Sequence, residues 1–277
     1  YMLDERTSVK TSYNRMTQNV HLISNSTVPV PFNTWQPSSP YLNTQVSDQV
    51  AAGLFHNLNN NGLELSAEAY YKWMQGVPDF ADGADLFFNP DLALEFRPGD
   101  VEAYGVELHM IKTKGKLTGS AAYTWSKAIR TTPDVNEGRP YYANFDRRHV
   151  MNTYATYDLN DAWSFGAAFT YSTGRPITLP VGKYNFDGYL VDVVSERNGY
   201  RLPDFHRLDL SATWKPAKNK NRKWEGSWVF SVYNAYNRKN PFTIHSRSVN
   251  DDNGHRNELR MIYLFPVLPS VTYNFNF

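Results

Sequence analysis

The sequence contains no cysteine, which excludes a disulfide scaffold, thiolate catalysis and cysteine-ligated zinc, and leaves the redox compartment open. It has almost no net charge. The 28 Lys and Arg against 27 Asp and Glu leave +1, so no polyanionic partner is implied and nucleic-acid binding has no support. No apolar run approaches the roughly 18 residues that a membrane helix needs, and mean hydropathy is −0.56. Gly-x-Ser-x-Gly, His-Glu-x-x-His and phosphate-cradling glycine loops are absent, so no familiar catalytic motif anchors an enzyme reading. No cofactor and no metal site is expected.

Aromatic residues are abundant instead. The 19 Tyr, 16 Phe and 7 Trp make up 15% of the chain, more than a soluble domain usually carries and as expected where rings form belts at membrane interfaces. Their placement is ordered. In Ser270-Val271-Thr272-Tyr273-Asn274-Phe275-Asn276-Phe277, every other residue is apolar. A strand alternates faces with a period of two, so such a segment has one greasy wall and one wet wall. A soluble sandwich or solenoid is the competing architecture, in which the greasy wall would face a core. Because the alternation recurs along the chain, mostly without helical stretches to cover it, the expected class is all-β: a transmembrane antiparallel β-barrel with lipid outside and a polar lumen. Half of each strand then faces water, which accommodates the hydrophilic average.

Ten strand-like segments are expected, near residues 7–23, 46–58, 63–73, 102–113, 116–127, 148–158, 163–172, 208–214, 227–237 and 270–277. The clearest are 63–73, with Leu63, Leu65, Ala67, Ala69, Tyr71 and Trp73 on one face, and 163–172, with Trp163, Phe165, Ala167, Phe169 and Tyr171 on one face. Short turns at Asn59-Asn60-Asn61-Gly62, Lys114-Gly115 and Asn160-Asp161, and a basic turn at 215–224, alternate with long loops at 24–45, 76–100, 129–146, 174–203 and 238–266. The last of these loops is expected to carry strand extensions at 242–245 and 259–264. Barrels of the bacterial outer membrane have short periplasmic turns and long outer loops. Odd strands are thus expected to run outward, with the C-terminus periplasmic. The chain opens on Tyr1 with no leader, so an exported protein of this kind is expected to be processed or a piece of something longer.

Several phrases resemble the TonB-dependent receptors of the bacterial outer membrane, and within them the large nutrient receptors that begin with a carboxypeptidase-regulatory-like domain. They include Tyr104-Gly105-Val106-Glu107-Leu108, the run from Thr118 to Ser126, Tyr171-Ser172-Thr173-Gly174-Arg175-Pro176, the run from Leu202 to Leu210, the run from Val232 to Asn240, and the closing strand. The resemblance implies 22 strands around a plug, of which residues 1–277 would supply the last ten, with the plug and the N-terminal strands absent. It implies TonB-dependent active transport of a scarce solute. The implied partners are outer-membrane lipid, the missing barrel half and plug, TonB through the absent N-terminal region, a surface lipoprotein, and the barrel-assembly machinery, which would read the terminal Phe277. A self-contained ten-stranded barrel stays open, as a protease, a passive pore or a structural subunit of an envelope complex.

Candidate site residues fall into two groups. Glu64, Glu68, Lys72, Glu107, His109, Arg207 and Asp209 lie on expected lumen faces, where they would line the solute path, contact a plug, or simply keep the lumen polar. Aromatics of the outer loops offer stacking surface to a ligand or pack the loops on one another: Trp35, Tyr41, Phe80, Phe87, Phe88, Tyr141, Tyr142, Tyr184, Tyr189 and Tyr200. Asp251, Asp252 and His255 read as solvated loop. The resemblance implies an architectural place for Asp146, Arg147, Arg148 and His149. A protease would need an acidic pair and a His–Asp pair at the outer rim, for which Asp146/His149 and Asp204/His206 are the loose candidates.

Overall fold

The computed structural model describes residues 1–25, 32–58, 62–84, 89–186, 189–194, 196–216, 224–251 and 254–276. Ten long strands dominate it: β1 (Thr7–Gln18), β2 (Gln45–Leu58), β3 (Leu63–Phe80), β4 (Phe96–Lys112), β5 (Leu117–Thr131), β6 (His149–Asp158), β7 (Trp163–Ser172), β8 (Phe205–Trp214), β9 (Glu225–Tyr233) and β10 (Leu268–Asn276). Each pairs antiparallel with its sequence neighbour, giving one open meander from β1 to β10. Among the described residues β1 and β10 do not pair with each other, and residues 1–4 fold back on the first residues of β1. No helix among the described residues is long and apolar enough to cross a membrane, which says nothing of strands.

The register sorts side chains into two walls. One rung joins Val9, Leu54, Ala67, Leu108, Tyr123, Met151 and Tyr171 across seven strands. The opposite face carries Glu68 between Gly53 and Glu107, and Ala168 between Tyr154 and Asp209. Aromatic belts border the apolar wall. At the short-turn end Trp163, Trp214, Trp228 and Tyr273 form one continuous rung, with the Trp163 and Trp214 rings stacked at 6.2 Å. At the long-loop end Tyr71, Trp73, Tyr104 and Trp125 cluster, with centroids about 6 Å apart. Trp163 and Tyr171 are eight residues apart on β7, so on a strand tilted by about 40° the belts stand roughly 20 Å apart along the membrane normal, close to the apolar band of a barrel.

The long-loop end departs from the expected boundaries. Residues 76–100 read as a loop because they hold Pro78, Pro90 and Pro98. Instead β3 and β4 run on as a ribbon to Phe80 and Phe96, past a bulge between Met74 and Val77. Gly76 takes φ +70° there, and Pro78 faces Pro98, so the prolines sit beside an already interrupted ladder, where the lost N–H groups cost little. The expected first strand divides into β1 and a hairpin of Val20–Asn25 with Phe32–Pro37. The ninth strand stops at Tyr233 because Asn234 and Asn237 adopt left-handed φ of 53° and 55°. The last loop forms one full hairpin, Pro241–Asp251 with Gly254–Tyr263, and another hairpin, Pro180–Phe186 with Tyr189–Val194, rises from the loop after β7. A small apolar core of Ile23, Leu42, Phe80 and Phe96 packs the loop after β1 against the β3–β4 ribbon.

Candidate functional site at the long-loop rim

Beyond the upper aromatic belt, the loops after β3, β5 and β7 meet in a buried polar knot. Asp79, just past the β3 bulge, accepts the Tyr141 hydroxyl proton at 2.7 Å and lies 3.7 Å from Arg130 Nε. Arg130, at the end of β5, also donates to the carbonyls of Pro78 at 2.8 Å and Val77 at 3.2 Å. Arg197, from the loop after β7, donates to the Phe80 carbonyl and stands 3.8 Å from Asp79 and 3.5 Å from Asp82. Asn136 couples these loops further, accepting from the Arg197 backbone N–H at 3.2 Å and donating its own N–H to Asp82 at 2.6 Å. Burial first, and the Asp79 charge second, hold the Tyr141 hydroxyl far above the usual tyrosine range, so it remains a donor.

A second knot centres on Asp146, whose side chain is fully buried. It accepts the Ala128 N–H at 2.7 Å, pairs with Arg201, and lies 3.8 Å from Arg148. The Arg201 guanidinium in turn stands 4.7 Å over the Tyr142 ring. Burial, then the neighbouring Arg175 and Arg201 charges, lower the Arg147 pKa. Between the two knots opens a cleft of about 290 Å³, lined by Ile129, Pro140 and Tyr142 together with Arg139, Glu196, Arg197 and Asn198. Rings, guanidinium groups, amides and the Glu196 carboxylate are recognition chemistry.

The expected ligand aromatics scatter around this rim. Tyr142 lines the cleft and is 36% exposed, whereas Tyr141, also lining it, is buried with its hydroxyl spent on Asp79. Phe80 is wholly buried in the small apolar core. Trp35, Tyr41, Tyr184 and Tyr200 are exposed but are not brought into the cleft, and Tyr189 opens the second strand of the hairpin after β7. Phe87, Phe88 and Phe277 lie outside the described residues, as does Asp252.

On the polar wall, Glu64, Glu68, Lys72, Glu107, His109, Arg207 and Asp209 all take the face opposite the apolar rungs. Arg207 pairs with Asp209 at 2.9 Å and lies 4.1 Å over the Tyr233 ring, whose hydroxyl accepts a further bond at 2.7 Å. His109 bonds Ser120 at 2.7 Å. Gly53 has no Cβ, and one there would press on the Glu68 side chain. The residues a protease would need are engaged elsewhere: His149 with the Tyr123 hydroxyl, Asp204 with the Tyr171 hydroxyl, and His206 with the Tyr236 hydroxyl, each at 2.8 Å. Among the described residues, no group of three or more His, Asp or Glu converges as a metal site.

Sequence reasoning missed Asp79, Arg130, Asn136 and Arg197. Each sits in or beside a segment read as loop, and the knot bonds described above join residues more than fifty positions apart, which no local pattern encodes.

Comparison with known proteins places this architecture. The family model described as TonB dependent receptor-like, β-barrel, matches residues 1–235. The chain is 27% identical over 148 residues to the ferric-pyoverdine M114 receptor PbuA of Pseudomonas sp. (strain M114), an alignment covering 51% of this chain and 17% of that protein. Among solved structures, its fold matches Pseudomonas aeruginosa FpvA in complex with a heterologous ferric pyoverdine, with TM-score 0.67 and 13% identity over 100% of this chain and 32% of FpvA. It also matches the ferric-catecholate import receptor Fiu of Escherichia coli K12, with TM-score 0.60 and 14% identity over 99% of this chain and 33% of Fiu. The chain therefore spans about a third or less of the length of these relatives. With one apolar wall between two aromatic belts and the family match running from Tyr1 into the turn after β9, the chain belongs to the TonB-dependent receptors of the bacterial outer membrane, whose β-barrel wall it helps to build.

Proposed function

We propose that this chain supplies the C-terminal part of the barrel wall and the outer loops of a receptor that imports a ferric chelate across the outer membrane, driven by TonB. The family match over residues 1–235 carries the reading. The names of PbuA, FpvA and Fiu, which speak of ferric pyoverdine and ferric catecholate, support an iron chelate as the solute. In this reading the short-turn end is periplasmic, the knotted loops are extracellular, and the polar wall with Glu64, Glu68, Lys72, Glu107, Arg207 and Asp209 faces a plug.

Backbone satisfaction supports a larger parent barrel. Unpaired N–H and C=O groups in hydrocarbon cost several kcal/mol each, so the outer edges of β1 and β10 call for strands beyond these ten. The cleft beside Tyr142 and the exposed rings of Trp35, Tyr41 and Tyr200 form the loop surface that meets the chelate. Phe277 serves assembly, and TonB acts on the plug rather than on this wall.

The test is uptake of radioactive iron by cells whose sole such receptor is the full-length protein, supplied with ferric pyoverdine or a ferric catecholate. Accumulation that disappears when TonB is deleted is the expected result. Entry that persists without TonB would make the protein a passive pore, and no accumulation of either chelate would overturn the iron assignment.

A further inference from the structure

The apolar wall is not evenly filled. On β6, β7 and β8 the outward positions Ala155, Ala167 and Ala212 are small, while Tyr157, Phe165, Leu210 and Phe230 stand around them. The result is a dent of about 620 Å³ reaching from Leu117 on β5 to Val271 on β10. The Tyr157 hydroxyl is the one polar side-chain group among its outward lining residues, and the serines and glycine in its lining, Ser211 among them, belong to inward positions whose backbone is paired in the ladder.

Its depth in the membrane follows from the register. Ala212 is two residues and Ala167 four residues above the Trp163–Trp214 rung, so the dent lies about 5–10 Å inside the aromatic belt. That is the hydrocarbon of the leaflet on the short-turn side. A void there loses the dispersion contacts of its lining, and water finds too few polar partners in it to stay. Spread over five interstrand spacings of about 4.8 Å each, the dent is wide and shallow. It cannot seat a helix about 10 Å across, whereas a hydrocarbon chain lies in it flush with the rings.

We infer that this dent is a binding site for one acyl chain of a glycerophospholipid in the short-turn leaflet, holding that lipid while neighbouring lipids exchange. The inference rests on the membrane orientation proposed above. Lipid is the occupant because the dent is continuous with the wall that already faces hydrocarbon, and the apolar lining makes recognition independent of headgroup.

The experiment uses the full-length receptor, exchanged into detergent and titrated with dipalmitoyl phosphatidylethanolamine or phosphatidylglycerol before native mass spectrometry. One retained lipid per receptor is expected with either headgroup. The double variant Ala167→Phe/Ala212→Phe, which fills the dent from the lipid side and needs no core space, should lose it. Ala52→Phe, on the same wall outside the dent, should keep it. Equal retention by wild type and double variant, no retained lipid in the wild type, or a receptor dimer that forms in its place would overturn the inference. A nitroxide at Ala52 separates this failure from failure of the barrel reading, because its accessibility to membrane-dissolved oxygen reports lipid exposure whether or not the dent is filled.

Discussion

Ala167 and Ala168 are neighbours in sequence and opposites in environment. Ala167 faces the apolar wall between Ala155 and Leu210, and Ala168 faces the polar wall between Tyr154 and Asp209. Ala167 also lies four residues from each of Trp163 and Tyr171, so it sits about midway between the belts, roughly 10 Å from either. Arginine at the midplane of a lipid-facing barrel wall costs about 2–4 kcal/mol, and the cost falls away toward the interfaces. Ala167→Arg should therefore lower the folding equilibrium about 30- to 1000-fold. Ala168→Arg places the same guanidinium in water near the Asp209 carboxylate, and its cost should stay below about 1 kcal/mol. Urea titration of the full-length receptor refolded into phosphatidylcholine vesicles measures both. Equal destabilisation, or a larger effect at Ala168, would refute the two-wall assignment.

The polar knots and the tight loop contacts give further tests. Asp79→Ala leaves the Arg130 and Arg197 guanidinium groups buried without their shared carboxylate, a loss of about 3–5 kcal/mol that should appear locally. Limited proteolysis should nick residues 132–147 and 196–203 while β5 to β8 stay intact, and an unchanged pattern would discount the knot. His21 is buried in the first outer hairpin, its Nε2 3.2 Å from Ser38 Oγ and its Nδ1 without a partner among the described residues, and burial lowers its pKa. Because the folded hairpin favours the neutral ring, its contribution to stability is complete above the ordinary histidine pKa of about 6.5 and is lost progressively as pH falls from there toward the lowered folded pKa. Hydrogen-exchange protection at Leu22 and Ile23 should drop between pH 7.5 and 5.5, and His21→Phe should abolish the change; pH-independent protection in the wild type would count against it. Gly174→Ala drives a Cβ into the Leu202 carbonyl oxygen and should cost about 1–3 kcal/mol in the same urea titration, and a neutral result would mean that the loop shifts freely.

What the sequence revealed follows the reach of each interaction. Strand identity, the two walls and the meander order depend on period-two alternation and on turns of a few residues, so β3, β7 and β8 were legible within a residue or two at their short-turn ends. The long-loop ends of β3 and β4 were not. Proline at Pro78 and Pro98 argues for a break by local rule, yet a bulge let both strands continue as a ribbon. The site was the least legible part, since its bonds join the loops after β3, β5 and β7. Asp146 shows the limit from the other side. Its phrase stood out by resemblance, but the Arg201 that neutralises it lies 55 residues away. Exposed rings such as Trp35 and Tyr41 were identifiable as loop aromatics, whereas the burial of Phe80 depended on Ile23 and Leu42 arriving from another loop.

Nearest-neighbour pairing has a consequence for how such a wall comes to exist. No strand from β2 to β9 waits for a distant partner: each ladder closes as soon as the next strand is present, so little loop-closure entropy is lost at any one step. The wall can therefore grow by zippering, one hairpin after another, with the most recent edge acting as the template for its successor. Until the edges are sealed, that same template invites any other strand, which makes escort before closure as important to this molecule as the contacts it finally keeps.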